Sequence, residues 1–234
     1  MSFARVFENE AGLARGAAEV FVQAAADAIA QRCRFLVALS GGSTPRSAYE
    51  LLSSPGFVDR VDWPKVHIFW GDERMVPPDH PGSNYRMVHE ALLAKIPIPA
   101  ANIHPIRGEL TAEEAAKAYA ADLTETLGVG GRFDLVLLGM GDDGHTASLF
   151  PGTSALAERV APVVPVYIER MSVWRVTLTL PVINAARSVV FLIHGSSKRE
   201  TLARVRSREQ LPAALVQPTT GQLLWLLDRE ADTA

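Results

Sequence analysis

The stretch FLVALSGGSTP, residues 35–45, decides the fold. Five apolar residues in a row make a run of strand length with no polar face, the pattern of a strand buried on both sides of a sheet. Ser40 to Ser43 then break the run: Gly41 and Gly42 permit a tight turn that exposes backbone amides. Thr44 suits the N-cap of a following helix and Pro45 its first position. A strand that hands the chain to a helix in this way leaves free N–H groups and a positive helix end beside the strand's carboxyl terminus.

Three further runs share this character: residues 66–70 (VHIFW), 133–138 (FDLVLL) and 189–193 (VVFLI). Helical segments separate them. Residues 13–32 are rich in alanine, with apolar side chains at three- and four-residue spacing. Thr111 with Glu114, and Ser197 with Glu200, have the spacing of capping boxes before AAKAYAADLTETL and TLARV. Strand and helix therefore alternate, which gives an α/β architecture with a largely parallel sheet. Residues 175–180 (RVTLTL) alternate polar and apolar, as a half-exposed strand of antiparallel type does, and residues 75–82 and 97–108 carry prolines that mark ordered surface loops. No repeat and no shift in composition divides the chain, so residues 1–234 read as one unit.

Composition narrows the function classes. With 23 basic and 26 acidic residues the net charge is -3, too weak a field to gather nucleic acid or anionic lipid. Hydrophobic residues at 48% and only 17 glycines and 15 prolines exclude disordered and collagenous classes. A chain of 234 residues buries roughly 70 to 75% of its unfolded surface and needs no staple. The one cysteine, Cys33, forms no intrachain disulfide and no cysteine zinc site, and no apolar run approaches the length of a membrane span. A cytoplasmic protein is expected.

Ligands of open parallel sheets bind beyond the carboxyl ends of the strands, so chemistry is sought in the residues that follow each run. These are SGGSTP, GDER, GMGDDGHTAS and HGSSK. The first, Ser40, Gly41, Gly42, Ser43 and Thr44 before Pro45, has the outline of a phosphate cradle, although it lacks the P-loop pattern of nucleotide triphosphatases. In GSSKRE, Ser197 as N-cap places Lys198 and Arg199 in a first helical turn, where the macrodipole disfavours cations and an anion compensates. Arg74 either serves the same anion or pairs with Asp72 or Glu73 in a surface turn; Arg175 is a further cation. GMGDDG spells GxGxxG after a strand, yet Asp142 and Asp143 stand where a pyrophosphate would lie, and a dinucleotide site is rejected. The carboxylates instead orient a base or substrate hydroxyls. His145 follows them in a glycine-rich turn and is the candidate for proton transfer; the five other histidines lack comparable neighbours. His89 and Glu90 begin a zincin motif that fails at Leu93, and no GxSxG elbow occurs, so water activated by His145 is simpler than a serine nucleophile.

Taken together and in order, LSGGSTP, WGDER, the Ser83–Asn84 pair, FDLVLLGMGDDGHTASLFPG, RVTLTLPVIN and HGSSK resemble the 6-phosphogluconolactonases across nearly the whole chain. The resemblance implies a Rossmann-like sheet of the deaminase and isomerase type, with helices on both faces. It also implies cofactor- and metal-independent hydrolysis of 6-phospho-D-glucono-1,5-lactone in the oxidative pentose phosphate pathway. The related glucosamine-6-phosphate deaminases carry a glutamate where Phe150 precedes Pro151, and phenylalanine accepts no proton; Asp72, however, matches a deaminase catalytic aspartate. On this reading the SGGSTP cradle with Asp72, Arg74, Arg175 and Lys198 binds the sugar phosphate, and His145, oriented by Asp143, activates water. Which of Asp142 and Asp143 does so is left open. The alternatives are a sugar-phosphate deaminase or isomerase and a non-catalytic sugar-phosphate sensor. A small-molecule substrate, no nucleic acid, no membrane, and a monomer or small homo-oligomer are expected.

Overall fold

In the computed structural model, which describes residues 2–128 and 130–232, strand β1 (Ser2–Phe7) leads into helix α1 (Glu10–Arg32), strand β2 (Phe35–Leu39) and helix α2 (Ser43–Leu52). The chain continues through β3 (Val66–Trp70), β4 (Asp72–Arg74), α3 (Asn84–Ala91), β5 (Ile103–His104), α4 (Ala112–Leu127) and β6 (Leu135–Leu138). It ends with α5 (Ser154–Ala157), β7 (Val163–Ile168), β8 (Val173–Leu178), α6 (Leu180–Ala185), β9 (Ser188–Ile193), α7 (Arg199–Arg206) and β10 (Gln222–Asp228).

Seven of these strands form one sheet in the order β1-β10-β9-β6-β2-β3-β5, parallel throughout. Its central strands are apolar at every position because both faces are covered: β2 and β6 are fully buried, and Phe35, Phe69, Phe133 and Phe191 lie at 0% exposure around them. β4, β8 and β7 form a separate antiparallel sheet in which Arg74 stands opposite Arg175.

The strand order fixes where a ligand goes. From β2 the chain moves outward to β3 and β5, then returns to the other flank of β2 to lay down β6, β9 and β10. The loops after β2 and β6 therefore diverge, and the crevice between them is the switch point at which open α/β sheets bind ligands. Since β9, β6, β2 and β3 are adjacent and parallel, all four loops singled out in the sequence meet at one rim.

Several local expectations change. The Thr111–Glu114 capping box forms at the start of α4. Thr44 does not cap α2: Gly42, at φ 107°, is the N-cap and Pro45 falls in the third helical position, so Ser43 and Thr44 enter the helix and no side chain caps it. Ser197 does not cap α7 either, because Gly195, at φ 91°, opens a 3-10 turn (Ser196–Lys198) closed by Lys198 N–H donating to the Gly195 carbonyl at 3.1 Å. Within residues 97–108, expected as loop, the two residues of β5 extend the sheet edge. No helix among the described residues is long and apolar enough to cross a membrane.

Candidate active site

A cleft of about 290 Å³ opens at the switch point, lined by Ser40, Gly41, Gly42, Ser43, Thr44, Asp72, Arg74, His145, Arg175 and Lys198. Every residue expected to bind the sugar phosphate lines it, together with the expected base; Asp143 stands behind the base rather than in the wall. Asn84, Ala147 and His194 are among the other residues of the lining.

Close backbone approach explains two of the glycines. A Cβ on Gly41 would fall 1.8 Å from Asn84 Oδ1, and Asn84 Nδ2 in turn donates to the Asp72 carbonyl at 2.9 Å, so a side chain here would push apart the loops after β2 and β3. A Cβ on Gly141 would fall 2.0 Å from the His145 ring, which folds back over its own loop. That loop is pinned by Gly141 N–H donating to the His145 carbonyl and by Thr146 Oγ1 donating to the Gly139 carbonyl. Ala147 follows in the left-handed region at φ 47°, a conformation that costs a non-glycine residue about 1 kcal/mol or more and is held by the surrounding bonds.

Asp143, not Asp142, orients the histidine. Its Oδ1 accepts from His145 N at 3.0 Å and lies 2.6 Å from His145 Nδ1. An ionised carboxylate only accepts, so Nδ1 carries the proton and Nε2 is left with its lone pair. Nε2 has no protein partner among the described residues. Phe150 stacks on the imidazole with centroids 4.0 Å apart. Burial lowers the His145 pKa, and this effect outweighs the opposing attraction of Asp143 and Asp72. Burial alone would raise Asp143, but hydrogen bonds from His145, with the charges of His145 and Arg170, hold its carboxyl below the usual range. The result is a neutral, oriented imidazole at neutral pH.

Asp142 instead holds Lys198: Nζ lies 2.6 Å from Asp142 Oδ1, while Thr201 Oγ1 donates to the Asp142 carbonyl. The anion expected beside Lys198 is thus supplied in part by the protein. Arg74 pairs with neither Asp72 nor Glu73 through its guanidinium, which donates to the Gly82 carbonyl at 2.6 Å; only its backbone N–H meets Glu73. Glu73 is itself buried and accepts from the N–H groups of Asn84 and Tyr85 and from Ser83 Oγ, fastening the start of α3 to β4. Asp72 accepts from Ser148 Oγ at 2.5 Å and lies 3.6 Å from Arg175 Nη1.

Among the described residues, three donors in this lining are buried without a partner: Ser40 Oγ, Arg74 Nε and Arg175 Nε. Unpaired buried donors cost about 1–3 kcal/mol each, more when charged, so their convergence with Lys198 and the uncapped start of α2 marks an anion site. Among the described residues no group of three or more histidine, cysteine, aspartate or glutamate side chains converges with metal-binding geometry.

The sequence reading passed over other residues. Arg170 Nη2 bonds Asp143 Oδ2 at 2.6 Å, and Ser148 and Asn84 serve Asp72. Contrary to expectation, two other histidines have carboxylate partners: His104 with Asp122 at 2.9 Å, and His194, itself in the cleft wall, with Asp228 at 2.5 Å. Their partners lie 18 and 34 residues away in the chain, so no local motif signals them.

Residues 8–225 match the family model described as glucosamine-6-phosphate isomerases/6-phosphogluconolactonase. The chain is 45% identical over 215 residues to a 6-phosphogluconolactonase of Synechocystis, covering 87% of this chain and 86% of that one. It is 41% identical to a human 6-phosphogluconolactonase, covering 97% and 91%. The crystal structure of a 6-phosphogluconolactonase from Thermotoga maritima superposes with a TM-score of 0.87 at 29% identity, covering 98% of this chain and 100% of the other. A monomeric glucosamine-6-phosphate deaminase superposes with a TM-score of 0.81 at 21% identity, which shows a shared fold.

Proposed function

Because this chain belongs to the family of glucosamine-6-phosphate isomerases and 6-phosphogluconolactonases, we propose that its cleft hydrolyses 6-phospho-D-glucono-1,5-lactone to 6-phosphogluconate. The observation that carries the lactonase reading is the neutral His145 at the wall of an anion-binding cleft, with Phe150 stacked on it and no carboxylate at that position. The 6-phosphate is held by the start of α2, Ser40, Arg74, Arg175 and Lys198, and Asp72 faces the sugar. Binding at one end of the substrate sets the lactone carbonyl near His145, so much of the entropy of bringing water, base and carbonyl together is lost before the reaction step.

Nε2 of His145 takes a proton from water as its oxygen attacks the carbonyl carbon. Amides of the cleft stabilise the oxyanion, and as the ring C–O bond breaks the imidazolium returns the proton to the leaving oxygen. Asp143 holds the ring through both steps and favours the transient cation. This is the lactone-opening step of the oxidative pentose phosphate pathway. The whole of residues 1–234 is read as one lactonase unit, working in the cytosol as a monomer or small homo-oligomer.

A continuous assay on freshly generated lactone, with spontaneous hydrolysis subtracted, tests the activity; ammonia release from glucosamine 6-phosphate in place of lactone turnover would favour the deaminase. The same assay yields a pH profile. Neutral His145 is the active form and burial depresses its pKa, so kcat/KM is lost as pH falls through a midpoint below the ordinary imidazole value of about 6.5. Asp143→Asn removes a charge that favours the imidazolium and moves that limb lower still; a limb centred above the ordinary value contradicts the assignment.

The phosphate contacts are tested separately. Arg74→Ala or Lys198→Ala is expected to raise KM for the phosphorylated lactone by about 10-fold or more, since a charged hydrogen bond contributes about 1.5–3 kcal/mol. Equal losses on a lactone without phosphate would remove these cations from that role.

A further inference from the structure

We propose that Arg170 is a positioning residue for hydrolysis: its guanidinium holds the outer oxygen of Asp143 and thereby locks the carboxylate that orients His145. The inference rests on the lactonase reading of the cleft.

Asp143 divides its two oxygens between two partners. Oδ1 serves His145, two residues away in the same turn, while Oδ2 takes Arg170 Nη2 at 2.6 Å. The terminal torsion of an aspartate is broad, so a carboxylate held only by its own turn rotates readily. A bond to the other oxygen from a distant element removes that freedom. Arg170 comes from such an element, the 3-10 turn (Glu169–Met171) that joins β7 to β8 in the small sheet. The same hairpin carries Arg175 to Asp72. It thus sends one cation to each of two carboxylates at the reaction site.

Arg170 also reaches the second support of the imidazole. Its guanidinium lies 5.0 Å from the centroid of Phe150, the ring that stacks on His145. The histidine is fixed along its edge by Asp143 and across its face by Phe150, and Arg170 touches both. It does not line the substrate cleft. It lies on a second cleft, of about 760 Å³, that takes in Asp143 and Phe150, so its effect on the reaction passes through those side chains.

Exposure separates this role from a structural one. The Arg170 side chain is 53% exposed, and ion pairs this open add little to folding stability. Removing it should therefore slow the reaction without loosening the protein.

The test compares wild type with Arg170→Met, Arg170→Gln and Arg170→Lys, measuring kcat and KM on fresh lactone, affinity for 6-phosphogluconate, and the urea midpoint. Arg170→Met and Arg170→Gln are expected to lower kcat about 10- to 100-fold, the range found for outer partners of carboxylate–histidine pairs at metal centres. KM, product affinity and the urea midpoint should stay near wild type, and Arg170→Lys should regain part of kcat. Unchanged kcat in Arg170→Met and Arg170→Gln overturns the inference, as does a loss confined to KM or one that lysine does not relieve. Should the methionine variant fail to fold, the glutamine variant decides; failure of all three would mark a structural role and overturn it too. A wild type without turnover overturns the lactonase reading, whereas an active wild type indifferent to Arg170 overturns this inference alone.

Discussion

His145→Ala is expected to slow enzymatic lactone hydrolysis by about 10²- to 10⁴-fold, the usual worth of a positioned general base. The size of the loss follows from how the ring is held. Asp143 fixes its tautomer, Phe150 shields one face, and burial keeps it unprotonated, so the lone pair of Nε2 is available at neutral pH. An alanine leaves the water in place with nothing to take its proton. The proposed phosphate contacts lie on other elements, the start of α2, β4, β8 and the turn before α7, so affinity for 6-phosphogluconate should survive almost intact. The expected signature is therefore a collapse of kcat with little change in product binding. His145→Asn sharpens the test, because asparagine keeps a polar side chain of similar reach but accepts no proton at neutral pH; it should be nearly as slow as alanine. Turnover at the wild-type rate in either variant would remove His145 from the mechanism.

The rim of the sheet was readable in the sequence because its signals are local. An apolar run that stops at glycines, hydroxyls and a helix start states where a buried strand ends, and parallel strands place those ends on one side. Residues 35–39 and 66–70 coincide with β2 and β3, and Arg175 lies on an antiparallel strand as expected. Residues 175–180 are, however, buried throughout rather than half-exposed, because the polar side chains of the alternation turn into the cleft and its supporting loops and not into water. The second sheet was hidden for physical reasons. β4 has three residues, and β7 contains Pro165, which breaks the strand pattern. Cap positions shifted because Gly42 and Gly195 take positive φ and begin their turns earlier than the hydroxyl residues suggest. Arg170 gave no signal, since a charged residue in a hairpin turn ordinarily faces water; only the fold shows that the hairpin closes over the loop after β6. Asp142 and Asp143 were indistinguishable as neighbours and are separated by direction, one toward Lys198 and one toward His145.

Arg175→Met is expected to lower the free energy of unfolding by about 3 kcal/mol, and Asp72→Asn in the same chain to restore most of it. Both side chains are only 8% exposed and approach to 3.6 Å. Taking two charges out of water is costly, and their attraction at short range offsets that cost only while both remain. Removing one leaves the other buried without its counter-charge, whereas removing both leaves an amide and a thioether that the site tolerates. The remaining partners of Asp72 suit this rescue: Asn84 Nδ2 and Ser148 Oγ both donate to its oxygens, and an asparagine retains one acceptor for them. Urea unfolding of the two single variants and the double variant supplies the coupling. A loss below about 1 kcal/mol in Arg175→Met would show that Ser148 and Asn84 satisfy the carboxylate unaided, as a neutral hydrogen bond of ordinary worth would. The double variant should also be stable and nearly inactive, because Asp72 and Arg175 line the cleft. On the proposed function, folding needs the pair matched and the reaction needs it charged, with the buried Nε of Arg175, unpartnered among the described residues, free for the substrate phosphate.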